Sequence, residues 1–147
     1  MARVQLALNV DDLEAAVGFY SKLFATPPGK VRAGYATFAV ADPPLKLVLI
    51  ESPGAGGTLN HLGVEVAGPA EVGAAQARLA AAGLATAAEE EVACCYARQD
   101  KLWVGGPSGE PWEVYAVLAD VETDGLQGGP AGDGCCSPGA APAAACC

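Results

Sequence analysis

The order of patterns along this chain occurs twice. "RVQLALNV" alternates apolar and polar residues as a strand does, and Asp11 or Asp12 then caps a helix reaching about Phe24, with Leu13, Val17, Tyr20 and Phe24 at helical spacing. Pro27-Pro28-Gly29 closes that helix, and "AGYATFAV" and "LKLVLIES" follow as strands parted by Asp42-Pro43-Pro44. Beyond the linker "SPGAGGT" the plan starts again. "NHLGVEV" reads as a strand, Pro69 to Ala82 as an alanine-rich helix stopped by Gly83, and "EEVACCYAR", "KLWVGG" and "PWEVYAVL" as three strands. Two β-α-β-β-β units result, about residues 1–52 and 59–120, with "VQLALNV" answering "HLGVEV" and "LKLVLI" answering "PWEVYAV". One such unit leaves a sheet face uncovered, so the pattern predicts an α+β domain over 1–120 in which two units pair to bury it. Whether they pair within one chain or across a homodimer is open.

From Asp124 the chain turns to "DGLQGGPAGDGCCSPGAAPAAACC", without periodicity. Little there offsets chain entropy by burial, and 121–147 is expected to be a flexible tail. The remainder has material for a core: 52% of the 147 residues are hydrophobic, so disulfides are not needed to hold the domain. Apolar runs such as Leu45 to Ile50 are far too short to cross a bilayer, and "MARVQLALNVDD" lacks the apolar core of a secretion signal. A cytoplasmic protein is expected. Eight Lys and Arg against seventeen Asp and Glu leave a formal charge of -9, which disfavours nucleic acid and anionic membrane surfaces as partners.

Six cysteines form three doublets, Cys94-Cys95, Cys135-Cys136 and Cys146-Cys147. Random placement gives roughly 0.2 doublets, so the pairing is not chance. A reducing cytosol keeps thiols free, and consecutive Cα atoms about 3.8 Å apart lie below the usual disulfide range. The doublets therefore read as thiol pairs.

The chain has one histidine, His61, and a lone histidine is more often a satisfied core residue than a ligand. The repeat makes a ligand the sharper reading. Gln5 occupies the corresponding strand of the first unit, flanked by Val4 and Leu6, and Glu113 lies between Trp112 and Val114 in the last strand, a carboxylate that demands a partner. Gln5, His61 and Glu113 are expected to converge between the sheets. An amide oxygen, an imidazole and a carboxylate suit a divalent ion such as Fe(II), Mn(II) or Zn(II). The first unit's position aligned with Glu113 is about Leu47, which cannot bind, so coordination positions stay open as catalysis requires. The alternative is a His–Glu pair without metal.

The paired units with ligands on first and last strands resemble the vicinal oxygen chelate superfamily, whose paired β-α-β-β-β units form a curved sheet cavity with a metal site. "NHLGVEV", "ACCYARQDKLWV" and "PWEVYAVLAD" are similar to its cadmium-induced proteins and organoarsenical carbon-arsenic lyases. That resemblance covers roughly residues 1 to 120 and implies Fe(II) held by Gln5, His61 and Glu113, with O2 as co-substrate. It further implies capture of a trivalent organoarsenical by Cys94 and Cys95, cleavage of the carbon-arsenic bond and release of inorganic arsenite. The subgroup's "DPDGxPWE" loop reads "GPSGEPWE" here, from Gly106, so two acidic residues are missing.

Trivalent arsenic is soft and thiophilic, so adjacent thiolates suit it. Strand neighbours point to opposite faces, however, and both sulfurs reach one arsenic only if Cys94-Cys95 sits in a bend or movable segment. Among the residues following the doublet, Tyr96, Arg98 and Lys101, only Lys101 is taken as a catalytic candidate, able to lower a thiol pKa or steady developing charge. Trp103 and Trp112 read as core or pocket wall. The thiols of Cys135, Cys136, Cys146 and Cys147 are accessory candidates that collect arsenicals or soft metals, or a tail without a role. A competing function from another class is a thiol-rich protein that sequesters cadmium or arsenite without turnover.

Overall fold

A computed structural model of the protein describes residues 2–94 and 97–120. Among the described residues lie eight strands and two helices, a mixed α+β arrangement. The order is β1 (Arg3–Val10), α1 (Leu13–Leu23), β2 (Lys30–Arg32), β3 (Tyr35–Val40), β4 (Leu45–Glu51), then β5 (Leu59–Glu65), α2 (Pro69–Ala81), β6 (Thr86–Cys94), β7 (Ala97–Gly105) and β8 (Pro111–Asp120). The β-α-β-β-β plan thus occurs twice, as the sequence pattern predicts. Strand β2 was not read from sequence because its three residues carry too little alternation. The expected flexible tail lies outside the described residues, and no helix among them is long and apolar enough to cross a membrane. By packing, the described residues divide into two compact units whose boundary differs from that of the repeats, because most of β5 with His61 joins the first repeat: the first unit is Arg3–Gly63 and the second begins at Val64.

In the first unit the strands lie in the order β2-β3-β4-β1-β5. Strands β1 and β4 run parallel with Leu6 opposite Leu47 and Leu8 opposite Leu49, so side chains of one parity share a face. That face is apolar. Phe38, Leu47 and Leu49 are fully buried there with Val10, Ala36 and Val40, and α1 closes the cluster with Leu13, Val17, Tyr20 and Phe24. These are the helix residues that the spacing selects, and each large buried side chain contributes about 1.5–3 kcal/mol. The opposite parity of β1 carries Gln5, Ala7 and Asn9, all buried.

The two aspartates after β1 divide their work. Asp12 is the N-cap, its Oδ1 accepting from Ala15 N at 2.9 Å. Asp11 Oδ1 instead accepts from the backbone of Gly54 at 2.7 Å and Gly56 at 3.1 Å. A Cβ on Gly56 would run into the Asp11 carboxylate, so any other residue there must displace that carboxylate. The stretch that reads as a plain linker is therefore fastened to the end of β1.

In the second unit β8, β7 and β6 are successive neighbours, joined by antiparallel ladders. Helix α2 begins at Pro69, where Glu71 accepts from Ala67 N and Gly68 N, and ends before Gly83 at φ +79. Its Val72 and Leu79 pack on Leu102 and Ala116. The other parity of β7 and β8 is polar and equally buried, carrying Gln99, Lys101, Glu113 and Tyr115. Each unit thus has a helix on one sheet face and a buried polar row on the other.

Candidate functional site

Gln5, His61 and Glu113 are each the third residue of their strand, β1, β5 and β8. In the first unit Gln5 and His61 come together: they are 3% and 2% exposed, and Gln5 Nε2 lies 3.0 Å from His61 Nε2. His61 Nδ1 lies 2.7 Å from Asn60 Oδ1. Since an amide oxygen only accepts, Nδ1 carries the proton and Nε2 presents its lone pair toward Gln5. This is the tautomer that a metal ligand through Nε2 requires.

Leu47 is also the third residue of its strand, but the expectation that it aligns with Glu113 does not hold side by side in the sheet. The parallel register sets Leu47 opposite Leu6 and places Lys46 opposite Gln5, so Leu47 faces the α1 core. Counting along the chain ignored that the helix-facing parity of β4 differs from that of Glu113 on β8.

In the second unit Glu113 and Lys101 come together. Lys101 Nζ is 3.4 Å from Glu113 Oε2, with side chains 0% and 1% exposed. The same ammonium lies 5.7 Å from the centre of the Trp103 ring, and Trp103 stands opposite Glu113 in the β7–β8 ladder. Lys101 itself is opposite Tyr115 on one side and Glu89 on the other. Tyr115, fully buried, donates from its hydroxyl to Glu65 Oε2 at 2.9 Å. Sequence reasoning missed Tyr115, Glu65 and Asn60. The signal for Tyr115 was present, since "WEVYA" places Glu113 and Tyr115 two apart on one strand face.

Strand β6 ends at Cys94, whose backbone pairs with Ala97 at the start of β7. The reading of "EEVACCYAR" as one strand is thereby corrected: its residues up to Cys94 belong to β6 and those from Ala97 to β7, which run antiparallel with Glu89 opposite Lys101. The ladders are irregular on both sides of the doublet. A register shift falls between Glu89 and Val92, where Glu91 has φ +50 and its N–H bonds Asp100 Oδ1 at 2.9 Å, and another falls at Arg98/Gln99. Cys95 and the accessory candidates Cys135, Cys136, Cys146 and Cys147 lie outside the described residues.

The "GPSGEPWE" loop that leads into β8 is closed by its own acid. Ser108 N bonds Glu110 Oε2 at 3.0 Å, Gly106 N bonds Glu110 O at 2.8 Å, and Gly109 turns at φ +86. Among the described residues no three His, Cys, Asp or Glu side chains group as a metal site.

The profile of the Glyoxalase/Bleomycin resistance protein/Dioxygenase superfamily matches residues 3–114. This chain belongs to that superfamily. Within the glyoxalase superfamily it is 66% identical over 125 residues to the cadmium-induced protein CadI of Mycobacterium tuberculosis, covering 85% of this chain and 82% of that one. It is 59% identical over 154 residues to a trivalent organoarsenical cleaving enzyme of Thermomonospora curvata, with both chains fully covered. Among solved structures, an extradiol ring-cleaving dioxygenase from B. fuscum aligns with TM-score 0.58 and 24% identity over 82% of this chain and 34% of that one, a likeness of fold alone.

Proposed function

We propose that this protein cleaves the carbon-arsenic bond of trivalent organoarsenicals, methylarsenite and trivalent aromatic arsenicals, with Fe(II) and O2, releasing inorganic arsenite. The observation that carries the reading is the buried pair of Gln5 and His61, two side chains of ligand type held side by side with the His61 Nε2 lone pair turned toward Gln5. The relative named for organoarsenical cleavage supports the substrate class.

The donor set fits a divalent ion: Gln5 Oε1 after rotation of its amide, His61 Nε2 and the Glu113 carboxylate would hold it, all of them buried. Fe(II), when bound, supplies electrons that let O2 react with an organic substrate. Cys94 and Cys95 bind the arsenic: each thiol gives its proton to a departing arsenic hydroxyl, which leaves as water, and an As–S bond replaces As–O. Chelation fixes the organic group's orientation and makes the encounter with oxygen intramolecular. A reducing cytoplasm keeps these thiols available. Lys101 holds the Glu113 carboxylate and offers a cation, shielded from water, to charge that develops on the substrate.

The test is arsenic speciation after anaerobic Fe(II)-loaded protein meets a trivalent methylarsenical and air is then admitted. Arsenite that forms over several turnovers, only with both iron and O2, is the expected result. Methylarsenical recovered intact from tightly bound protein would instead make the chain a thiol trap for arsenite and cadmium.

A further inference from the structure

The proton on His61 is placed by one backbone carbonyl far along a chain of side chains. Thr58 Oγ1 lies 2.6 Å from Ala55 O, and a carbonyl only accepts, so the Thr58 hydroxyl donates to it. The hydroxyl has spent its proton and accepts from Asn9, whose Nδ2 is 2.9 Å away. Asn9 must then turn its Oδ1 toward Asn60, and Asn60 Nδ2 donates to it at 3.0 Å. Asn60 is left with Oδ1 facing His61 Nδ1, at 2.7 Å. Every donor in the series points the same way, and reversing any one amide would set two donors or two acceptors against each other.

We infer that Thr58, Asn9 and Asn60 are positioning residues that lock His61 in the Nδ1–H tautomer, keeping Nε2 ready for a metal ion before any ion arrives. Gln5 completes the arrangement, since an Nε2 lone pair accepts only from its amide nitrogen at 3.0 Å. The origin of the series lies in the linker between the repeats, which Asp11 fastens through Gly54 and Gly56 while Gly57 N bonds Asn9 O at 2.9 Å. The linker is thus a support for the histidine. Thr58 is exposed whereas Asn9 and Asn60 are buried, so the series can be cut at its outer end without opening the core. Its consequence for metal affinity rests on the iron reading above; its consequence for the tautomer does not.

A single histidine gives a single imidazole in a long-range ¹⁵N–¹H spectrum, which reports which nitrogen is protonated. The expected apo spectrum shows Nδ1 protonated, with Thr58→Val mixing the two tautomers and Thr58→Ser restoring the parent. Mn(II), a hard ion with little liking for the thiols, is then titrated by its EPR signal. Thr58→Val should bind it about 10-fold more weakly, the lower end for loss of a ligand-orienting partner, and Thr58→Ser like the parent. An Nε2–H imidazole in the parent, or a Thr58→Val protein with parental spectrum and affinity, overturns the inference. Mn(II) binding indifferent to His61→Ala would overturn the metal reading while leaving the tautomer result standing.

Discussion

Replacing Lys101 by Met tests whether the buried polar face of the second unit is held by charge. The ammonium and the Glu113 carboxylate are 3.4 Å apart with essentially no exposure. At an effective dielectric of about 20 their attraction is about 5 kcal/mol, and removing one partner of such a pair typically costs about 3–5 kcal/mol because a buried charge is left behind. Met keeps most of the stem volume, so the loss is electrostatic rather than a cavity. With an m-value of about 1.5 kcal/mol/M, a 4 kcal/mol loss lowers the urea midpoint by about 2.7 M. Unfolding is followed by tryptophan fluorescence, since Trp103 lies beside the ammonium. The double substitution Lys101→Met/Glu113→Leu should recover most of the loss, because apolar pairs often replace buried ion pairs without penalty. A Lys101→Met protein within about 1 kcal/mol of the parent, or a double variant as unstable as the sum of the singles, would refute the argument.

Phe38→Ala should destabilise the first unit by about 3–5 kcal/mol, measured by urea unfolding, because Phe38 is fully buried beneath α1. Gly56→Ala should cost about 1–3 kcal/mol in the same assay by displacing the Asp11 carboxylate from its two backbone donors, and Asp11→Ala should show a similar loss. His61→Ala is expected to abolish arsenite release while leaving arsenical binding, read by equilibrium dialysis with arsenic analysis. Cys94→Ser should lose binding and release together, and equal loss of binding in both variants would refute the division of roles.

The repeated plan and its elements were legible because they depend on local physics. Alternation marks a strand, Leu13, Val17, Tyr20 and Phe24 mark a helix face, and Gly83 and the prolines mark its ends. Gln5, His61 and Glu113 stood out as polar residues in apolar company at matching places in the repeat. Register was not legible. Whether Leu47 or Lys46 lies beside Gln5 depends on how two strands slide against each other, and a one-residue slip exchanges the faces. The bounds and pairing of β6 and β7 were hidden for the same reason, since Glu89 opposite Lys101 is a contact between distant charged residues that carry no apolar signal. The amides and hydroxyls of Asn9, Thr58 and Asn60 carry no periodic signature, and their order of donation exists only once β1, β5 and the linker are folded together. Sequence by itself therefore determined the repeated β-α-β-β-β plan and most of its elements, and marked Gln5, His61 and Glu113 as polar residues worth a partner, because each of these follows from neighbours along the chain. Tertiary structure alone decided which partner each polar group meets and which way its protons point, because hydrogen bonds between distant residues have no counterpart in the order of the letters.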